Sequence, residues 1–316
     1  MRVIGSIDEL PRGLRFAMTI GMFDGVHRGH QRVLGALTRA AARSDAQPVV
    51  VTFDPHPAEV LRGSAPPLLA DPAEKLARLE SLGIGTAVVQ HFDREFAAQP
   101  PDEFLGRLCS ERDLTAIVMT AESAFGRDRT GIAGSIRRLG EARGFGVVEV
   151  KRVESRGAAL SSTRIRGLIT DGRLSAAQRL LGRRYAVIGT VVAGNRRGRD
   201  LGYPTANLRF SAPVALPPDG IYAVRATWGG SNLLEPQHVA AGLASLGVRP
   251  TFERDGERVL EVYLLDFDGD LYGQDLRVEF VRKLRDEKKF GSAEALIRQM
   301  DRDTARARQV LARAAP

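Results

Sequence analysis

Up to about residue 180 the chain alternates unbroken apolar runs with amphipathic segments, and this alternation restricts its fold more than any other feature. "RFAMTIG", "PVVVTF", "TAVVQHF", "TAIVMT" and "VVEVKRV" each read as a strand. Strands that are apolar throughout need cover on both faces, as in a parallel sheet between layers of helix. The intervening segments read as helices. One begins at His30 with Val33, Leu34 and Leu37 on one face, and others lie near Asp102 to Arg112 and Ser135 to Arg143. In "DPAEKLARLESLG" Asp71 is placed as N-cap, Pro72 in the first turn, Glu74 to close a capping box and Gly83 as stop. After "RLLGRRY" the texture changes. Short β-rich runs separated by Gly, Pro and Asp turns lead to one long helical segment, roughly Ser292 to Ala314. That spacing predicts a compact antiparallel barrel. With 316 residues, more than a single core usually serves, the expected fold is α/β. A parallel-sheet domain, residues 1–181, precedes an antiparallel β-barrel domain, residues 182–316, closed by the C-terminal helix.

A lone cysteine, Cys109, excludes an internal disulfide framework and suits a reducing compartment. No apolar run has signal-peptide or membrane-spanning length. The expectation is a soluble, cytoplasmic protein with no membrane partner. The net charge of +8 arises from 46 Lys and Arg interleaved with 38 Asp and Glu, not from one basic face. Small phosphorylated ligands explain that excess as well as a nucleic-acid groove does; the motifs point to the former, and no nucleic-acid partner is expected.

Two of the five histidines stand three residues apart in "GMFDGVHRGHQRVL". The stretch follows the first long strand, and open parallel sheets bind ligands beyond the carboxyl ends of their strands. Gly29 and His30 start a helix whose free N–H groups and positive dipole end suit an anion. Gly25 and Gly29 let a phosphate come close to the backbone. Two imidazoles aimed at one place stabilise charge growing on a phosphoryl group. Downstream, "SSTRIR" supplies three hydroxyls and two guanidiniums at another apparent helix start. In the second half, "GNRRGRDLGYPTANL" joins a cationic Gly/Arg loop to a Thr and an Asn suited to a metal and phosphate oxygens.

These stretches carry a resemblance. "FDGVHRGH" resembles the His-x-Gly-His signature of the nucleotidyltransferase superfamily, "SSTRIR" resembles its second signature, and "TFDPHP" is similar to the form in prokaryotic FAD synthetases. "GRDLGYPTANL", "GIYAV", "GVRPTF" and "LEVYLLDFDGDLYG" resemble successive segments of riboflavin kinases. Nearly the whole chain thus resembles the bifunctional riboflavin kinase/FAD synthetase family, in the same order. The resemblance implies a Rossmann-like nucleotidyltransferase domain and a riboflavin kinase-like barrel, ATP, riboflavin and FMN as substrates, and Mg²⁺ as cofactor. In the first domain it implies His27 and His30 as catalytic groups. It marks Gly21, Phe23, Asp24, Gly25, Gly29, Ser161, Ser162, Thr163 and Arg166 for the nucleotide, and Asp54, His56, Glu122 and Phe125 for the flavin. In the barrel it implies Glu261 as base. Gly194, Arg197, Gly198, Pro204, Thr205 and Asn207 fall to the nucleotide, Thr205 and Asn207 among them to the metal, and Arg285, Glu287 and Phe290 to the flavin.

Two segments depart from the pattern, the milder being Ser245-Leu246 in place of a common Asn-Val before "GVRPTF". The family usually shows Gly-x-Asp/Asn-Phe-x-Phe-Gly where this chain reads "TAESAFG", Thr120 to Gly126. Glu122 is a longer carboxylate and Ser123 removes an aromatic ring. A riboflavin kinase joined to an impaired or redirected adenylyltransferase, and a non-catalytic flavin-binding sensor, are therefore the alternatives to a fully bifunctional enzyme. Oligomeric state is not legible.

Overall fold

The computed structural model describes residues 1–155, 157–194, 202–230, 234–248 and 258–314. Two compact units emerge, Met1–Pro66 with Lys75–Ser162, and Pro67–Glu74 with Thr163–Pro316.

The first unit contains β1 (Arg2–Ile4), β2 (Arg15–Ile20), α1 (Arg28–Arg43), β3 (Gln47–Asp54), α2 (Pro57–Arg62) and most of α3 (Pro72–Ser81). It continues through β4 (Thr86–His91), α4 (Arg94–Ala97), α5 (Pro101–Glu111), β5 (Asp113–Thr120), β6 (Ala124–Phe125), β7 (Gly131–Ile132), α6 (Ala133–Arg143), β8 (Gly146–Val150), β9 (Glu154–Ser155) and β10 (Ala158–Ala159). Among the described residues six strands form one sheet in the order β1-β4-β3-β2-β5-β8, and every pairing in it is parallel. The apolar runs are buried on both faces. Phe16, Met18, Val49 and Val51 belong to one core; Ala17, Val50, Val118, Leu34 and Leu37 belong to the other. Each fully buried Leu, Val or Phe is worth roughly 1.5–3 kcal/mol over an exposed one, which fixes the register of α1 on the sheet. The chain passes from β2 to β3 on one side and β5 lies on the other, so the carboxyl end of β2 is a switch point where ligands bind.

The second unit contains α7 from Thr163 onward (the helix spans Ser162–Thr170), α8 (Leu174–Leu181), β11 (Ala186–Val192), β12 (Thr205–Arg209), β13 (Gly220–Trp228), β14 (His238–Val248), β15 (Arg258–Leu264), β16 (Asp275–Arg285) and α9 (Ala293–Arg313). The six strands close as β11-β12-β15-β14-β13-β16, all antiparallel. Its interior holds Tyr222, Leu246, Leu260, Val262, Leu276 and Val278, each 0% exposed, with the Phe280 ring edge-on to Tyr222 at 5.3 Å. Helix α9, capped by Ser292, lays Ala307 and Leu311 on Ala223, Leu243 and Leu284. That apolar contact is small, and polar ties add to it: Arg285 to buried Asp303 at 2.8 Å and Tyr203 to Asp301. The α/β class, parallel sheet, closed barrel and terminal helix are as expected from sequence.

Segment Pro67–Glu74 packs with the barrel unit. Leu68 donates to the Pro213 carbonyl and accepts from the Ala215 N–H. Glu74, 1% exposed, lies 3.8 Å from Arg183 and 3.7 Å from Arg277. Sequence reading assigns Glu74 to a capping box; the structure gives this carboxylate two arginines. Asp71 caps as expected, accepting from the Ala73 N–H at 2.8 Å.

Candidate functional site

In the first unit the turn after β2 carries the densest chemistry. Phe23 (φ 50°) and Val26 (φ 38°) hold left-handed backbone conformations beside Gly25 (φ 75°). For a β-branched residue this is a true outlier, and such strain concentrates at functional turns. Helix α1 starts at Arg28, one residue earlier than Gly29, because His27 is its N-cap: the His30 N–H donates to Nδ1 of His27 at 3.2 Å. With Nδ1 accepting, the proton of the neutral His27 ring sits on Nε2. The two imidazoles stack at 3.6 Å between centroids, 14° from parallel, and Phe23 meets His30 edge-on at 5.2 Å. Burial, and then the neighbouring His27, hold the His30 ring well below the ordinary histidine pKa. It is therefore neutral near pH 7. The pair offers N–H donors to an anion without two adjacent positive charges.

Gly29 has a more specific reason than close approach by phosphate. A Cβ there would stand 3.0 Å from Cε1 and 3.1 Å from Nδ1 of His27, so glycine makes room for the cap and its stack. Ser162 donates to the Asp24 carbonyl at 3.1 Å, and Leu160 lies against Gly29. Thus Gly21, Phe23, Asp24, Gly25, His27, Gly29, His30 and Ser162 share one neighbourhood, with half-buried Ser161 next in sequence. Thr163 and Arg166 belong to the second unit; Thr163 is exposed and Arg166 Nε donates to the Pro67 carbonyl at 2.8 Å.

Of the proposed flavin positions, Asp54 ends β3 beside β2, and the Asp54–Pro55 peptide is cis. His56 caps α2, its Nδ1 accepting from the Ala58 N–H at 3.0 Å. Phe125 opens a run of rings through Phe104, Phe96 and Phe53, edge-to-face up to a tilted last pair, with centroids 5.9–6.0 Å apart. In the divergent segment Ser123 closes the turn after β5: its hydroxyl accepts from the Thr120 N–H at 3.0 Å. Glu122 is half-exposed and pairs with Arg152 at 3.5 Å.

In the barrel unit, strand register aligns the candidates. Asn207 pairs with Glu261, Glu261 with Ser245, Ser245 with Ile221, and Ile221 with Arg285. Directly paired residues point to one face, here the face opposite the Leu260, Val262 and Leu264 core. Strands are about 4.8 Å apart, so Glu261 and Arg285 lie roughly 14 Å apart along the sheet. Thr205 is two residues from Asn207, on the same face. Asn207 is 6% exposed, and its amide occupies the space a Cβ on Gly194 would need. Gly194, Pro204, Thr205 and Asn207 line a cavity of about 380 Å³ with Asp268 and Tyr272. Arg285 is held by Asp303 and lies 5.7 Å from the Phe290 ring. Glu287 packs over Gly247, and burial pushes its carboxyl above the usual range. Arg197 and Gly198 lie outside the described residues.

Sequence reasoning gave no site role to three groups: Lys75, in a helix read only for its caps; Ser245, aligned with Glu261 only by register; and Asp303, tied to Arg285. Tyr203 stands two residues before Thr205. Its hydroxyl donates to Asp301, and burial with this bond pushes its pKa up to about 12.

Two family models match successive parts of the chain. Residues 12–164 match the FAD synthetase family and residues 181–311 the riboflavin kinase family. The bifunctional riboflavin kinase/FMN adenylyltransferase of Listeria monocytogenes is 34% identical over 90% of this chain and 89% of its own length. That of Escherichia coli K12 is 34% identical over 98% and 97%. A solved Streptococcus pneumoniae structure described as a macrolide-efflux protein has a TM-score of 0.85 at 30% identity, covering 97% of this chain and 98% of its own. Among the described residues, no helix here is long and apolar enough to cross a membrane. With both matches in order along one chain, and relatives above 30% identity over nine-tenths of it or more, the chain belongs to the bifunctional riboflavin kinase/FMN adenylyltransferase family.

Proposed function

We propose that this chain phosphorylates riboflavin in residues 182–316 and adenylylates the resulting FMN in residues 1–181. The observation that supports the reading is two chemically different groups suited to phosphate, His27–His30 at a helix start and Thr205–Asn207–Glu261 on a barrel. In the barrel, the riboflavin 5′-hydroxyl attacks the γ-phosphorus of ATP, and ADP leaves as FMN forms. Glu261 accepts the hydroxyl proton. In the first domain, an FMN phosphate oxygen attacks the α-phosphorus of a second ATP, and pyrophosphate leaves as FAD forms. His27 and His30 donate N–H bonds to the charge that builds on the phosphoryl oxygens, with the free N–H groups at the α1 start around them. Both displacements are in-line, so alignment and charge neutralisation supply most of the acceleration.

Mg²⁺ fits the barrel site. The Thr205 hydroxyl and Asn207 carbonyl are hard oxygen donors on one face of β12, at a cavity with room for phosphates. When bound there with ATP, the ion neutralises phosphate charge. Soluble substrates and products support action in the cytoplasm. Riboflavin, ATP and Mg²⁺ mixed with the protein should give FMN first and FAD later. Failure of either product to form rejects the corresponding half of the reading.

Gly29→Ala tests the first site at one atom. The added methyl would stand 3.0–3.1 Å from the His27 ring and push it by a few tenths of an ångström, so FAD formation should fall, by less than the about 10²-fold that a 1 Å misplacement costs, while riboflavin phosphorylation stays at the parent rate. Unchanged FAD formation would show that the His27 stack is not required.

A further inference from the structure

One half-buried cation in the first unit has no part in the chemistry above. Lys75, the first residue of that unit on α3, reaches into the sheet: its Nζ donates to Thr52 Oγ1 at 3.1 Å. Thr52, fully buried on β3, in turn donates to the Met22 carbonyl at 3.1 Å. Met22 lies in the turn that presents Asp24 and His27. The relay therefore runs from α3, through the strand that ends at Asp54, to the turn that caps α1. Two carboxylates face Lys75, Asp24 from that turn and Asp54 from the end of β3. Asp24 is 5% exposed. Two carboxylates so placed would repel the phosphates of two anionic substrates, and the Lys75 ammonium that both face opposes that repulsion.

We infer that Lys75 is a positioning residue for adenylyl transfer: through Thr52 it fixes the Met22–Asp24 turn, and its charge balances Asp24 and Asp54 so that the phosphates of FMN and ATP can meet beside His27. This rests on the reading of the first domain as the adenylylating site. Burial keeps Lys75 below the ordinary lysine pKa, although both aspartates act to raise it. The ammonium is the working form. Its contribution is complete below that lowered pKa and is lost as pH rises through it.

The test uses the full chain supplied with FMN, ATP and Mg²⁺, comparing Lys75→Met, Lys75→Arg and His27→Ala. Lys75→Met should lower kcat/KM for FAD formation on the order of 10²-fold, with riboflavin phosphorylation unchanged. Lys75→Arg keeps its charge at every accessible pH. It should therefore recover much of the rate and remove the alkaline decline expected of the parent as pH rises through the lowered Lys75 pKa. Parent-like FAD formation by Lys75→Met, with His27→Ala inactive, overturns the role of Lys75 alone. Parent-like FAD formation by His27→Ala overturns the site itself. Should Lys75→Met not fold, Lys75→Arg decides: an alkaline decline identical to the parent's means that the lysine charge is not used, and overturns the inference.

Discussion

His27→Ala is expected to reduce FAD formation by about 10³-fold or more, while riboflavin is still phosphorylated at the parent rate. Three losses coincide in this substitution. The acceptor that caps α1 at the His30 N–H disappears, the partner of the 3.6 Å stack disappears, and so does the Nε2–H donor. Loss of one preorganised donor to developing charge costs about 10²–10³ in rate, and the unstacked His30 ring no longer keeps its orientation. Loss of the cap alone costs about 0.5–2 kcal/mol of stability. His27→Asn separates the effects, because its short side chain can cap a helix but lacks the imidazole. It should recover most of the thermal stability and none of the FAD formation. His30→Ala leaves the cap in place and should lose roughly 10²–10³-fold. Initial rates with supplied FMN, alongside thermal unfolding, check all three. Equal loss of FMN and FAD formation in His27→Ala would refute the division of labour between the domains.

Glu261→Ala is expected to have the complementary effect. FMN formation should fall by about 10²–10⁴-fold, the usual contribution of a positioned general base, while FMN supplied from outside is still converted to FAD. Glu261 stands between Asn207 and Ser245 on the outward face of the barrel, so its removal opens no cavity in the Leu260–Val262 core. Stability should hardly change. Glu261→Gln keeps the shape and removes the basic oxygen, and should be as slow as Glu261→Ala. A parent-like kinase rate in both variants would reject Glu261 as the base and leave catalysis to positioning by Thr205 and Asn207.

Local pattern carried the architecture. Unbroken apolar runs such as "PVVVTF" are legible because a parallel strand buries both faces, and the later Gly- and Pro-punctuated strands are legible because antiparallel turns demand those residues. The motif histidines and the Thr205–Asn207 pair were legible for the same reason: their spacing is their geometry. What escaped depends on contacts distant in sequence. Nothing in "DPAEKLARLESLG" distinguishes Glu74, buried against Arg183 and Arg277, from the exposed Glu80 one and a half turns later. Lys75 looks like any helix-surface lysine until Thr52 is found beside it. Gly29 reads as a phosphate-binding glycine, and only the folded helix shows the His27 ring 3.0–3.1 Å from where its methyl would stand. The line from Asn207 through Glu261 and Ser245 toward Arg285 exists only once the barrel register is set.

The departure at Glu122 and Ser123 acquires a physical reading as well. Ser123 spends its hydroxyl on the Thr120 turn, and Glu122 is matched by Arg152. The substituted loop is therefore internally satisfied, with Phe125 still at the end of its aromatic run. Such a loop is compatible with an intact adenylylating site, which favours the fully bifunctional enzyme over a kinase joined to a disabled domain.

The most direct measurement of that claim follows two labels in one reaction. Riboflavin is incubated with the protein, Mg²⁺ and ATP labelled distinguishably at the α- and γ-phosphorus, and the flavins are separated over time. Two displacements in one chain predict that FMN carries the γ label alone, that FAD carries both, and that pyrophosphate appears in step with FAD. FMN that accumulates with the γ label, and never acquires the α label, would contradict the account and leave this chain a riboflavin kinase only.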